Sequence, residues 1–227
     1  TTSIPKIEVK NNGNTTLNSM SINYDVDGNS NNYTWNGTLF AGNSTLIDLP
    51  QISTTRGAHQ LLISTSTAND ANLENNSGNS VFYTNDSGTV NTINTFTSTT
   101  TDKLLAYKDG TIDSQWVIGT RTGLMTGGLG NNVYTTNLTG NYPNNIKAYL
   151  VSQCYNLANV TNPQISFNMK YDLENNWDIV YMQYSTNFGA TWSVLGSMGT
   201  NWYNSDRTPL TSGTDCNNCP GAQWTGT

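Results

Sequence analysis

The fold is decided by Ile165–Tyr203, ISFNMKYDLENNWDIVYMQYSTNFGATWSVLGSMGTNWY. Apolar residues alternate along Ile165, Phe167, Met169 and Tyr171, and again at Ile179 and Tyr181. Period-2 alternation sends one face of a segment into a core and leaves the other wet, so both runs are expected as strands of an antiparallel sandwich. A polar turn bearing Asp172, Glu174 and Asp178 separates them. Ser185-Thr-Asn-Phe-Gly-Ala-Thr-Trp192 then follows the spacing S-x-D-x-G-x-x-W of an Asp box, with Asn187 in the Asp slot. In such a turn a short side chain ties the backbone, glycine takes positive φ and the tryptophan plugs the hairpin. Trp192 is accordingly expected in the core, and Val194-Leu195-Gly196 as a further short strand.

Outside this stretch the composition points the same way. The chain holds 35 Asn and 55 Ser plus Thr among 227 residues, and no window carries a helical stripe. Asn and Ser are poor in helix interiors, whereas Thr, Val, Ile and Tyr fit a pleated surface. The expectation is an all-β chain. Charged residues make up 11% and the net charge is −6, without any basic patch, which argues against a nucleic-acid partner. No apolar run is long enough for a membrane span. The chain opens on Ile4–Val9 and stops at Trp224–Thr227 without a closing element, so a segment of a longer secreted protein is expected.

Residues 1–84 read as six or seven short strands with turns every 8–12 residues, an immunoglobulin-like pattern. Met20, Ile22, Tyr24 and Val26 alternate strictly and end at Asp27-Gly28, a hairpin signal. Residues 85–102 are rich in Thr and Ser and read as an extended linker, with Val90, Ile93 and Phe96 able to dock part of it. Residues 103–227 form the second unit. Its GGLGN (Gly127–Asn131) lacks the strand–helix setting and the Lys of a phosphate loop.

Two resemblances sharpen this reading. VKNNGN, YDVDGN, the W-x-G-x-L of Trp35–Leu39, GAHQL and a closing D-x-N-x-E-N-N resemble a CARDB-type domain, an Ig-like module of bacterial surface proteins. From about residue 104, W-V-I-G, Y-L-V-S-Q-C-Y-N-L, P-Q-I-S-F, S-T-N-F-G-A-T-W and N-W-Y resemble the MAM-like jelly roll of large secreted Bacteroidetes proteins exported by type IX secretion. Together they imply an Ig-like sandwich followed by a jelly roll truncated at its C-terminal end. They also imply a secreted, cell-surface location, and a non-catalytic adhesion or display role beside neighbouring domains of the same chain. An accessory, carbohydrate-binding region of a secreted protease or glycan-degrading enzyme is the alternative.

Candidate chemistry is sparse. Asp172, Glu174 and Asp178 crowd one turn, and clustered carboxylates need either solvent or a cation, which would be a structural calcium. A catalytic acid pair would need a cleft with flanking aromatics, which a tight hairpin does not offer. No catalytic residue and no other cofactor is assigned. Cys216 and Cys219 have the spacing of a small-loop disulfide in an oxidising setting, while Cys154 lies in an apolar run and is expected buried. Trp177 and Trp202 stand beside turns, where they are placed to stack on sugar rings of a glycan or cell-surface ligand. His59, the single histidine, is expected to be structural.

Overall fold

The computed structural model describes residues 1–68, 70–97, 104–108, 115–121, 132–209 and 215–227. The Gly-rich 127–131 therefore lies outside the described residues. The protein is all-β. In order, the strands of the first unit are β1 (Thr2–Ser3), β2 (Lys6–Lys10), β3 (Leu17–Val26), β4 (Asn29–Leu39), β5 (Ser44–Asp48), β6 (Ile52–Ser53), β7 (Gly57–Ser66) and β8 (Ser77–Thr84). There follow β9 (Ser87–Gly88), β10 (Leu105–Lys108), β11 (Val117–Thr120), β12 (Asn132–Thr135), β13 (Ala148–Val151) and β14 (Cys154–Tyr155). The second unit contributes β15 (Gln183–Tyr184) and β16 (Ser193–Val194). By contacts the described chain divides into two units, which meet in sequence between Thr161 and Asn162.

In the first unit the antiparallel sheet β4-β3-β7-β8 carries the core. Met20, Ile22, Tyr24 and Val26 are all buried, and Ile22 is 0% exposed. Their alternation on β3 is what puts them on one face. Leu39 and Leu61 join from the same sheet, while Ile47 and Leu49 come from β5 and its end. β5 pairs with β2 in a ladder of its own, Lys6 opposite Asp48 to Lys10 opposite Ser44, and Ile7 and Val9 lean on the cluster. Two layers thus close on one apolar interior, as a sandwich requires. Asp27 (φ 51) and Gly28 (φ 85) supply the consecutive positive φ of the β3–β4 hairpin turn. Along β4, a Cβ on Gly37 would fall 2.4 Å from the Trp35 ring, so W-x-G-x-L lays an indole across the glycine of its own strand.

The stretch expected as a linker is tied to its neighbours. Ser87-Gly88 pair in parallel with Cys154-Tyr155, and Phe96 meets Tyr134 edge-to-face at 5.4 Å. Cys154 is exposed, not buried, because this two-residue ladder lies at the surface. Tyr83 reaches across to Tyr107 with ring centroids 4.1 Å apart, and its hydroxyl donates to the Lys108 carbonyl at 3.0 Å. Arg56 donates to the Leu104 carbonyl at 2.7 Å. These long-range bonds bring β10–β14 into the first unit.

The second unit is built differently from the expectation. Ile165–Tyr171 has no ladder partner among the described residues, and no hairpin joins it to Ile179–Tyr181. Val180 instead exchanges both main-chain bonds with Trp224, at 2.8 and 3.0 Å, and Ser205 pairs in the same way with Gln223. Ala222, Gln223, Trp224 and Thr225 are all buried. The segment read as lacking a closing element is the one around which this unit packs. Around it lie Tyr203 (1% exposed), Trp202, Tyr171, Val180, Tyr181, Met182 and Val194.

Gly196 sits at φ +81, and a Cβ there would be 2.9 Å from Trp202 Nε1. A left-handed L-residue costs about 1–2 kcal/mol, and forcing an added methyl into a packed site costs about 1–3 more. Gly196→Ala is therefore expected to destabilise the second unit by roughly 2–5 kcal/mol. Hydrogen exchange of the amides around Met182 and Leu195 would report the loss, and unchanged protection would contradict the close packing of Trp202.

Candidate functional site

The acidic turn of the second unit closes on Thr225. The Trp177 and Asp178 N–H groups donate to the Glu174 carbonyl at 3.1 and 3.0 Å, forming one tight loop. The Thr225 hydroxyl accepts from the Asn176 N–H at 2.8 Å and donates to the Asp178 carbonyl at 2.9 Å. Asn204 brackets Thr225 from the other side, its side-chain NH2 donating to the Thr225 carbonyl (2.7 Å) and its Oδ1 accepting the Thr225 N–H (3.0 Å). Among the described residues no three His, Cys, Asp or Glu side chains gather as a metal-holding group. Asp172, Glu174 and Asp178 share a turn but do not converge as a ligand set.

The two tryptophans expected to stack on a ligand have separate fates. Trp202 is enclosed, with Trp224 at 5.3 Å, Tyr203 at 5.4 Å and Phe167 at 5.7 Å between ring centroids. Its Nε1–H points at the Leu195 carbonyl, 3.4 Å away. Trp202 is partly buried and packs against the core cluster of this unit. Trp177 is 59% exposed at the tip of the acidic turn and retains an open indole.

The Asp-box-like turn forms with the hydrogen bonds its sequence implies. Ser185 Oγ accepts the N–H groups of Asn187 (3.3 Å) and Gly189 (2.8 Å), and Asn187 Oδ1 accepts that of Thr191 (2.9 Å). Gly189 takes φ +86. Trp192, however, is 40% exposed and covers Gly189 from outside instead of plugging a core. The paired strands here are two residues each, too short to enclose an indole. Cys216 and Cys219 are joined by a disulfide and both are buried.

Sequence reasoning missed Tyr203, whose hydroxyl accepts the Met182 N–H at 2.9 Å and donates to the Met182 carbonyl at 3.2 Å. It supplies the partner of the Met182 N–H and shares the Met182 carbonyl with the Leu195 N–H, which donates to it at 2.9 Å. Burial pushes its phenol above the usual tyrosine range. Gln223, 0% exposed, was also missed: its NH2 donates to Ser205 Oγ (2.9 Å) and the Arg207 carbonyl (3.1 Å), and its Oε1 accepts the Gly221 N–H (3.1 Å). Ala-Gln-Trp-Thr is too short for periodicity to reveal it.

In the first unit the single histidine is structural in position. His59 is buried, with Nδ1 2.5 Å from Asp27 Oδ2 and Nε2 2.9 Å from the Thr55 carbonyl. Asp27 Oδ1 also accepts the Gln60 N–H at 2.9 Å, so one carboxylate pins the β3–β4 turn to β7. The His59 hydrogen bond, with the Gln60 N–H behind it, outweighs a smaller opposing effect of burial and holds the Asp27 carboxyl below its ordinary range.

The sign follows from that direction. A carboxyl depressed in the folded state stabilises the fold above its unfolded pKa, about 3.9, and this contribution is lost as pH falls through the folded value. Asp27→Asn, a residue that tolerates positive φ, is expected to be less stable than the parent at neutral pH, and the difference should shrink as pH falls below about 4. Urea titrations at several pH values would check this, and a pH-independent difference would contradict the pairing.

The outer face of the four-stranded sheet is a grid of amides and hydroxyls with the Asp25 carboxylate among them. Register places Asn23 between Asn32 and Ser64, and Asp25 between Ser30 and Leu62. The Asn32 side-chain NH2 donates to Ser21 Oγ (2.8 Å) and Asn23 Oδ1 (2.7 Å), and Ser30 Oγ donates to Asp25 Oδ2 (2.7 Å). Asn23, Asp25, Ser30 and Asn32 line an open depression together with Leu62 and Ser64. No family model, curated protein or solved structure matches the chain.

Proposed function

We propose that this chain is a non-catalytic adhesion or display segment of a large secreted bacterial cell-surface protein, with residues 1–84 an Ig-like sandwich of the CARDB type and residues 103–227 an incomplete MAM-like jelly roll. The observation that carries the reading is the cross-strand grid of Asn23, Asn32, Ser21, Ser30 and Asp25. Amides and hydroxyls held by one another on a rigid sheet offer fixed donors and acceptors to a neutral, hydroxyl-rich surface at little entropic cost. His59, the side chain most suited to proton transfer, has both ring nitrogens engaged within the fold.

A second reading has its own observation. The open indole of Trp177 favours a carbohydrate-binding accessory region of a secreted protease or glycan-degrading enzyme.

A glycan array probed with the full chain separates the two. Under the first reading Asn23→Ala combined with Asn32→Ala lowers retention about tenfold, or ~1.4 kcal/mol, and Trp177→Ala leaves it unchanged. Loss on Trp177→Ala alone transfers the assignment to the second reading. Retention insensitive to all three substitutions overturns both.

A further inference from the structure

β4 is an edge of the four-stranded sheet, and among the described residues no strand pairs with its far side. The register says which of its main-chain groups face outward. Val26 and Asn29 flank the two-residue turn and so exchange both N–H···O bonds, and the exchange recurs at every second residue. The Asp27 N–H, which donates to the Gln60 carbonyl at 3.2 Å, fits this phase, since the odd-numbered residues there face β7. The N–H and C=O groups of Ser30, Asn32, Thr34 and Asn36 therefore point away from the sheet, and all four residues are exposed. Folded proteins guard such an edge with Lys, Pro, an inward charge or a bulge. Asn29–Asn36 holds no charged residue and no proline, and the register shift of this ladder lies beyond it, between the Ser19 and Leu17 pairs.

We infer that this edge pairs antiparallel with the same edge of a second copy, about a twofold axis at Tyr33, to form a weak homodimer. The inference goes beyond the surface-attachment reading and does not rest on it. In this register Ser30 meets Asn36 of the second copy and Asn32 meets its Thr34, so each outward donor finds an acceptor and each acceptor a donor. Opposed residues share a face, so amides and hydroxyls meet amides and hydroxyls, and Tyr33 meets its own copy on the other face. Charge does not oppose the match. The nearest carboxylate in the sheet, Asp25, sits beside Ser30. The twofold carries the two Asp25 side chains to opposite ends of the ladder, about 20 Å apart along the strands and so beyond the screening length of ~8 Å.

A strand from another protein is the poorer occupant. An extended peptide must be ordered residue by residue before it pairs, whereas β4 is already held as a strand by β3. The outward row of Ser, Asn and Thr also carries no charge or apolar side chain with which to select a particular foreign sequence. A contact one ladder wide is at the small end of specific interfaces, which sets the expected dissociation constant at about 100 µM.

Sedimentation equilibrium of the full chain between about 5 and 500 µM brackets that value. The expected result is a mass rising from monomer to dimer and no further, with hydrogen exchange across 30–36 slowed at the upper concentration. Thr34 is exposed and makes no bond in the Asn23–Asn32 grid. Thr34→Lys and Thr34→Glu each set like charges on diagonal neighbours across the twofold, and each alone should weaken the dimer about tenfold. An equimolar mixture of the two variants should restore association, which a misfolded variant could not do. Monomer at every concentration would give the edge to another chain's strand or to water and overturn the inference. Growth beyond a dimer, a dimer indifferent to both substitutions, or a mixture no tighter than either variant alone would overturn it as well.

Discussion

Trp224→Ala is expected to cost about 3–5 kcal/mol and to open the second unit, the range found when a large aromatic leaves a packed interior. The indole lies 4.4 Å from Tyr203 and 5.3 Å from Trp202 between ring centroids, and its Nε1–H donates to the Trp202 carbonyl at 2.9 Å. Its main chain is also the partner of Val180. Removing the ring leaves a cavity at the meeting point of three separate chain segments, none of which has a long ladder to fall back on. Protection of the amides in 178–205 against hydrogen exchange should fall by about a hundredfold or more, since each factor of ten is ~1.4 kcal/mol. Protection in β3 and β7 should be unchanged. A loss below about 1 kcal/mol would mean the tail is not what holds this unit together.

Ile22→Ala is the corresponding change in the first unit. Ile22 has no exposed surface and sits mid-strand on β3, between β4 and β7. Truncation is expected to cost about 2–5 kcal/mol, against about 0.5–1.5 for Ile22→Val. The graded pair is the informative measurement. Cavity formation scales with the volume removed, whereas a residue merely lying at the surface would give two small and similar values. Urea unfolding monitored on peptides from β3, β4 and β7 would resolve the series, and equal midpoints for the two variants would contradict the placement.

The contrast between these two units also explains what was legible in the sequence. β3 carries its own proof: Met20, Ile22, Tyr24 and Val26 alternate over seven residues and a two-residue turn follows, so face, register and hairpin are all local information. The second unit spends almost nothing locally. Ile179–Tyr181 finds its partner at Trp224, more than forty residues on, and alternation alone does not say which segment will be the partner. Ile165–Tyr171 was read as paired because its pattern suits pairing, and its pattern does suit it; what periodicity cannot supply is the neighbour.

Among the candidate site residues the reading divided in the same way. The turn Ser185–Thr191 and the Cys216–Cys219 bond depend on short spacing and formed. The roles of Trp192 and Trp202 depend on what lies across from them. A tryptophan beside a turn looks the same in sequence whether it faces solvent or three other aromatic rings. Trp192 is 40% exposed, whereas Trp202 packs, partly buried, against the core cluster.

The measurement bearing most directly on the proposed role is retention set against turnover in one experiment. Beads coated with the full chain would be passed over a mucin-coated flow cell, with soluble mucin fragments assayed in the effluent. The polar face on β3 and β4 predicts beads that are held under flow, released by the double substitution at Asn23 and Asn32, and accompanied by no accumulating fragments. Fragments that continue to accumulate with time, or beads held no better than uncoated ones, would contradict it.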